Sequence, residues 1–338
     1  MKLNAGHDQA PVSLITGGAG FIGSHLADLL LERGERVIVV DDLSTGRMAN
    51  IAHLSGQTGF RFVQGDVREP GLVEGLAREC GRIYHLAAVV GVIRVMESRL
   101  RVVEENIFGT HAVIRAALEV GARVFVASTS EVYGANLEIP FREDSERVMG
   151  SPQIKRWGYA TAKAVDEILA YGYAEEHGLE VVVARFFNTI GQRQTGEYGM
   201  VVPRFIEQAL SGQPISVYGT GEQTRSFCDV RDTVRAIVGL MDNPDALNRP
   251  FNIGATREIS INALAELVLG RISPERAGRP AEIRRIGYEE AYPPGYAEFP
   301  RRVPDISHVG ATIGWTPEYS LEETLDWIAE GSSLARSA

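Results

Sequence analysis

The sequence predicts an α/β fold: a doubly wound parallel sheet followed by a smaller α/β lobe toward the C-terminal end. Three observations carry this. From Val12 to about Val126, short β-branched runs alternate with helical stretches. The runs are apolar on successive positions, as strands covered on both faces require. Glycines fall at three-residue spacing where the first run turns into the first helix.

Taken in order, Val12–Thr16, Arg36–Asp41, Phe60–Gln64, 82–86 and 124–127 read as strands, with helices over 22–33 and 102–120 between them. VIVV (Val37–Val40) and VFVA (Val124–Ala127) show no polar alternation. After Gly134 a polar stretch to about Arg156 reads as a surface loop. A helix over 159–177 and a strand over 180–186 then resume the pattern. Beyond Gly191 the elements are shorter, with Gly/Pro-bearing segments near 212–221, 244–254 and 292–304. The predicted division is a cofactor-binding unit over 1–187 and about 228–256, with a substrate lobe over about 188–227 and 257–338. The turn-rich stretch 274–304 is expected to move until ligand binds.

The chain has 338 residues, enough for about two domains. A hydrophobic share of 44% and a charged share of 23% exclude a disordered chain. The net charge of −10 argues against nucleic acid as the main partner, because phosphate binding needs a local excess of Lys and Arg. Cys80 and Cys228 lack metal-ligand or CxxC spacing, so neither a zinc site nor a disulfide framework is expected. The first ten residues lack a basic and apolar leader pattern, and no apolar run spans a bilayer. A cytoplasmic protein with no membrane partner is expected.

VSLIT runs into Gly17-Gly18-Ala19-Gly20-Phe21-Ile22-Gly23 and then a helix. The first glycine permits the tight turn, the middle one lets backbone approach a pyrophosphate, and Gly23 lets helix and strand pack closely. Exposed helix N–H groups then face the phosphates. Asp41 and Asp42 end the second strand about twenty residues on, where a carboxylate accepts hydrogen bonds from an adenosine ribose and repels a 2′-phosphate. That favours NAD over NADP, with Arg47 weakening the preference. Asp66 is placed to meet the adenine, and Leu86-Ala87-Ala88 offers small residues where a flat cofactor passes.

Tyr159 and Lys163 stand four residues apart on a predicted helix and share one face. A tyrosine is a poor base at neutral pH, with a reference pKa of about 10. A nearby ammonium and an oxidised nicotinamide favour the phenolate, which can then take a hydroxyl proton. Roughly thirty residues upstream, Ser128–Gly134 (STSEVYG) sits where a strand ends, the favoured place for reactive groups in such sheets. Thr129 is placed to hold a substrate hydroxyl within reach of that phenolate.

TGGAGFIG, DDLSTG, HLAA, STSEVYG, YATAK, RFFNTIG, VYGTGEQTRSF and RRVPDI occur in this order over nearly the whole chain. Together they resemble the extended short-chain dehydrogenases/reductases that act on nucleotide sugars. The resemblance implies a Rossmann fold and NAD held by Gly17, Gly20, Phe21, Ile22, Gly23, Asp41, Asp42, Ser44, Thr45, Gly46, Asp66, Val67, Leu86, Ala87, Ala88, Asn106, Tyr159 and Lys163. It implies Tyr159 as redox base, Lys163 as its electrostatic partner and Thr129 as the hydroxyl-positioning residue. It also implies a nucleoside-diphosphate clamp of Asn188, Val202, Tyr218, Arg225 and Arg302.

The triplet Thr129-Ser130-Glu131 resembles the Thr-Ser-Glu of UDP-glucuronate decarboxylases. In such an enzyme oxidation at C4 makes a β-keto acid, CO2 leaves, and Ser130 with Glu131 manages protonation at C5. UDP-xylose or its 4-keto precursor is the implied product. A sugar 4-epimerase ranks second, because RFFNTIGQRQTGEYGMVVPRF and AYPPGYAEFPRRVPDI resemble a bacterial group of that kind. A 4,6-dehydratase ranks third, since GDP-mannose dehydratases also resemble Thr-Ser-Glu here. A non-enzymatic NAD sensor ranks last, because it has no need of Thr129, Tyr159 and Lys163 together. The resemblance further implies a homodimer built through the helices 102–120 and 159–177.

Overall fold

A computed structural model describes residues 11–197, 199–272, 282–292 and 299–337. In order these form β1 (Val12–Thr16), α1 (Phe21–Glu32), β2 (Arg36–Asp41), β3 (Phe60–Gln64), α2 (Leu72–Ala77), β4 (Arg82–His85), α3 (Val92–Glu97), α4 (Arg99–Val120), β5 (Arg123–Thr129), α5 (Trp157–His177) and β6 (Val181–Phe186). Then come β7 (Thr189–Ile190), α6 (Val201–Leu210), β8 (Ile215–Tyr218), β9 (Thr224–Ser226), β10 (Cys228–Asp229), α7 (Val230–Asp242), β11 (Pro250–Ile253), β12 (Glu258–Ser260), α8 (Ile261–Arg271), β13 (Ile283–Ile286), α9 (Tyr288–Ala291), α10 (Ser307–Ile313) and α11 (Leu321–Ser337).

Seven strands make one sheet in the order β11-β6-β5-β4-β1-β2-β3, parallel throughout. The apolar runs fill both of its faces. Ile15, Val37, Val39, Tyr84, Phe125 and Val182 pack under α1 and α7, and Leu14, Ile38, Val40, Ile83, Val124 and Val181 pack under α2, α4 and α5. This is why no alternation is visible in the sequence. The order reverses between β1 and β4, which opens a crevice at their carboxyl ends.

A separate core forms the lobe, where Val202, Phe205, Ile215, Val217, Leu264 and Leu325 bring α6, β8, α8 and α11 together. One part of the sequence division differs: Val309 on α10 and Trp315 pack with Phe251 and Ile237 in the first core, although residues 307–315 were allotted to the lobe. Trp315 fixes this by donating its Nε1–H to the Asp232 carbonyl at 3.0 Å. Of the stretch 274–304, residues 274–281 and 293–298 lie outside the described residues, as do the first ten. Both cysteines are buried and free, and no helix among the described residues is long and apolar enough to cross a membrane.

Candidate active site

A cavity of about 500 Å³ runs from the glycine turn after β1 to Tyr218 and Tyr292 in the lobe. At its inner end Gly17 has φ +72°, and a Cβ there would stand 2.7 Å from the Ala87 nitrogen. A Cβ at Gly23 would stand 2.3 Å from the Gly17 carbonyl oxygen. Only glycine fits these close approaches. Helix α1 begins here with no side-chain cap and no acidic residue in its first turn, which leaves its N-terminus suited to an anion. These features fit a dinucleotide.

Asp41 is buried at the end of β2, where Oδ2 accepts from the Ala19 N–H at 2.9 Å and Oδ1 from the Leu43 N–H at 2.8 Å. Burial pushes its pKa up, against those backbone hydrogen bonds. Asp42 is exposed and accepts from the Ser44 N–H at 2.9 Å. Asp66 is held below the usual carboxylate range by its hydrogen bonds to Arg68. Phe21, Ile22, Ser44, Thr45, Val67, Leu86 and Ala88 also line the cavity.

Two expected cofactor residues stand behind the wall. Gly46 backs onto Asp41, and a Cβ there would lie 2.6 Å from Asp41 Oδ1. Asn106 is 1% exposed; its Oδ1 accepts from the Val89 N–H at 3.0 Å and its Nδ2 donates to the Val102 carbonyl at 2.7 Å. Both shape the residues that touch the cavity.

At mid-cavity β5 delivers Thr129, and α5 delivers Tyr159 and Lys163. Burial pushes the Tyr159 phenol above its ordinary value, Glu131 and Asp166 add to this, and the Thr129 hydroxyl opposes it through a hydrogen bond. The protein by itself therefore keeps the phenol protonated. The ammonium expected to favour the phenolate has a partner of its own: Lys163 Nζ lies 3.1 Å from Asp166 Oδ2, and both side chains are buried. A carboxylate shares its charge.

Glu131 sits between two guanidiniums. Arg156 Nη2 lies 3.2 Å from its Oε1 and Arg302 Nη1 lies 2.8 Å from the same oxygen. Burial alone would raise its pKa; Arg156, Arg302 and Arg225 outweigh burial and hold it at about 2. Glu131 is therefore ionised at neutral pH, an acceptor of hydrogen bonds and not a proton donor. Ser130, buried beside it, brings a second hydroxyl to the triplet besides that of Thr129. Arg302, named for the diphosphate, lines the cavity and also pairs with Glu131.

At the lobe end Asn188 donates to the Ser226 carbonyl at 2.9 Å, and Arg225 donates to the Phe299 carbonyl at 2.9 Å. Val202 is 1% exposed, though it still borders the cavity. The Arg204 guanidinium lies 3.8 Å above the Tyr218 ring, which meets Tyr292 edge-on. Arg156, Arg204, Tyr292 and Asp166 were missed in the sequence. Arg156 and Asp166 had a legible signal, since the first caps α5 three residues before Tyr159 and the second stands three after Lys163 on that helix.

The model of the NAD dependent epimerase/dehydratase family matches residues 13–254. The chain belongs to that family. Its cofactor is NAD. It is 37% identical, over 94% of its length and 97% of the relative's, to the UDP-N-acetyl-alpha-D-glucosaminuronate decarboxylase of Bacillus cytotoxicus. It is 39% identical to UDP-glucuronic acid decarboxylase 1 of Arabidopsis thaliana, over 92% of this chain and 67% of that one. Among solved structures it is similar to UDP-glucuronic acid 4-epimerase from Bacillus cereus in complex with UDP-glucuronic acid and NAD, at TM-score 0.83 and 26% identity over 96% of this chain and 99% of that one.

Proposed function

We propose that the protein is an NAD-dependent UDP-glucuronate decarboxylase. The observation that carries this is Glu131 held as an anion between Arg156 and Arg302, on the same cavity as Thr129, Tyr159 and Lys163. The decarboxylase relatives, alike over most of their length, support the same reading.

Gly17, Gly20, Gly23, Asp41 and the small residues Ala87 and Ala88 would hold NAD, which supplies the two-electron oxidant for C4 of the sugar. Thr129 holds the C4 hydroxyl, and Tyr159 as phenolate takes its proton. The resulting 4-ketone is β to the carboxylate, so the C5–C6 bonding pair flows into the carbonyl as CO2 leaves. The enolate then takes a proton at C5 from solvent water, with Ser130 and Glu131 bordering it and orienting that delivery. Re-reduction of C4 gives UDP-xylose, and release before that step gives the 4-keto pentose. Asn188, Val202, Tyr218, Arg225 and Arg302 would hold the nucleoside diphosphate, with Arg225 and Arg302 offering planar guanidiniums to phosphate oxygens.

Incubation with UDP-glucuronate and NAD, read by product mass and NMR, tests this reading. Loss of CO2 is expected, with UDP-N-acetylglucosaminuronate and UDP-glucose run in parallel. An unchanged mass with inverted C4 would replace the decarboxylase by the epimerase, and loss of water would indicate a dehydratase.

We also propose a homodimer through α4 and α5. Phe108 on α4 and Ile168 on α5 are 58% and 62% exposed, an apolar face that a second copy would cover. Sedimentation at micromolar concentration should give twice the chain mass.

A further inference from the structure

The Tyr133 hydroxyl donates to Asn252 Oδ1 at 2.6 Å, and both residues are 0% exposed and stand off the cavity. They come from different elements. Tyr133 closes the turn Ser130–Tyr133 that holds Glu131, and Asn252 lies on β11 at the edge of the sheet. Burial pushes the Tyr133 phenol up to about 12, so it stays protonated and donates. Arg185 Nη1 donates to the same hydroxyl oxygen at 3.0 Å. The other end of the Asn252 amide faces the segment that follows Arg302. Its Nδ2 donates to the Phe141 carbonyl at 2.9 Å and to the Asp305 carbonyl at 3.3 Å. Phe141 is itself paired with that segment: its N–H donates to the Val303 carbonyl at 2.8 Å, and its carbonyl accepts from the Asp305 N–H at 2.8 Å. The Phe141 and Tyr133 rings stack with centroids 4.8 Å apart.

Asn252 thus touches both partners' supports, the turn of Glu131 through Tyr133 and the segment of Arg302 through Phe141 and Asp305. An amide can accept from a phenol at one end and donate from the other, whereas a carboxylate of the same shape can only accept. A buried polar network whose members are all partnered fixes one arrangement of the chains that carry it. We propose that Asn252 is a positioning residue that, with Tyr133, holds the Glu131 turn and the Arg302 segment in register, so that the two side chains meet at 2.8 Å. That Glu131 acts on the sugar rests on the decarboxylase reading; the register does not.

The test is a double-mutant cycle on the unfolding equilibrium of the full chain, with no sugar present. Asn252→Asp keeps the acceptor for Tyr133 and loses the donors toward Phe141 and Asp305; Tyr133→Phe keeps the ring and loses the donor to Asn252. Each is combined with Glu131→Gln. In either variant Glu131 has already lost its register with Arg302, so the factor by which Glu131→Gln weakens folding should shrink at least about fivefold at pH 7. In Tyr133→Phe, which adds no titrating group, that coupling should be smaller at pH 3 than at pH 7. A carboxylate held at about 2 loses its contribution as pH falls below the unfolded value of 4.5. A merely structural Asn252 gives additive effects at both pH values. Additivity within about twofold at pH 7 in either variant overturns the proposal, and so does a coupling that is the same at both pH values. If Asn252→Asp does not fold, Tyr133→Phe decides by the same reading. Both variants should also slow CO2 release from UDP-glucuronate at least about tenfold. Coupling without that loss upholds the register and places the failure in the role given to Glu131 in decarboxylation.

Discussion

Arg302 and Glu131, 171 residues apart in the chain, meet at 2.8 Å on the wall of the cavity. The contact joins the end of β5 to the segment after α9, so the two lobes are tied together at the place where the sugar would react. Removing the charge from Glu131 leaves Arg156 and Arg302 beside each other without their shared anion. Glu131→Gln should therefore lower CO2 release from UDP-glucuronate by about 10²-fold or more, in the range a positioned acid–base group contributes. NAD affinity, set at the other end of the cavity, should be unchanged. Wild-type CO2 release in this variant would make Glu131 a structural ion-pair partner only.

The same carboxylate predicts a pH dependence of stability. Its folded pKa of about 2 lies below the ordinary 4.5, so the unfolded chain takes up the proton first as pH falls. The stabilisation is fully present above about pH 4.5 and is lost as pH falls through about 2. Melting temperatures of wild type and Glu131→Gln should differ at pH 7 and converge toward pH 2 to 3. A gap that stays constant over that window would show that the guanidiniums do not depress this group.

Arg156 stacks at 4.8 Å over Phe299 as well as pairing with Glu131, with 7% of its side chain exposed. Arg156→Met should cost on the order of 2–3 kcal/mol in unfolding free energy, because Glu131 keeps only part of its compensation. It should also raise KM for UDP-glucuronate while leaving UDP binding near wild type. Two arginines against one glutamate leave one positive charge to meet the sugar carboxylate. Arg156→Lys should recover stability in part, since an ammonium cannot reproduce the planar fork.

The parallel sheet was legible because burial on both faces writes unbroken apolar runs, and VIVV and VFVA have no other economical explanation. The dinucleotide end was legible because close backbone approach admits only glycine, and Gly17 and Gly23 show that constraint directly. The lobe was harder to divide. Trp315 and Val309 return to the first core after a long excursion, and no local period records such a return. The sugar end was least legible: Glu131, Arg156 and Arg302 come from three separate segments, and a guanidinium reads the same in sequence whether it meets phosphate or carboxylate. Gly46 and Asn106 belong to motifs around the cofactor site; the first leaves room for the Asp41 carboxylate and the second ties down Val89.

Tyr159→Phe removes the hydroxyl that Thr129 hydrogen-bonds and keeps the ring that packs against Val89 and Val95. Turnover should fall by about 10²–10⁴-fold, with the fold and NAD binding retained. Thr129→Val should cost less, since the phenolate remains and only the sugar hydroxyl loses a partner. Equal losses in both would mean that Thr129 takes the proton itself.

Gly17→Ala tests the cofactor end with a single methyl group. At φ +72° an alanine is strained whatever the space, and here its Cβ would also stand 2.7 Å from the Ala87 nitrogen and 2.8 Å from the Ala87 Cα. Neither atom is the end of a flexible side chain, so the turn after β1 has to move away from the chain after β4. That movement shifts the N-terminus of α1 relative to Ala87 and Ala88, the two walls between which the pyrophosphate and nicotinamide would lie. Calorimetric titration should show NAD affinity reduced by at least about tenfold, equivalent to roughly 1.4 kcal/mol. The unfolding free energy should fall by about 1 kcal/mol or more from backbone strain. An alanine variant with wild-type NAD affinity would place the dinucleotide elsewhere than on this turn.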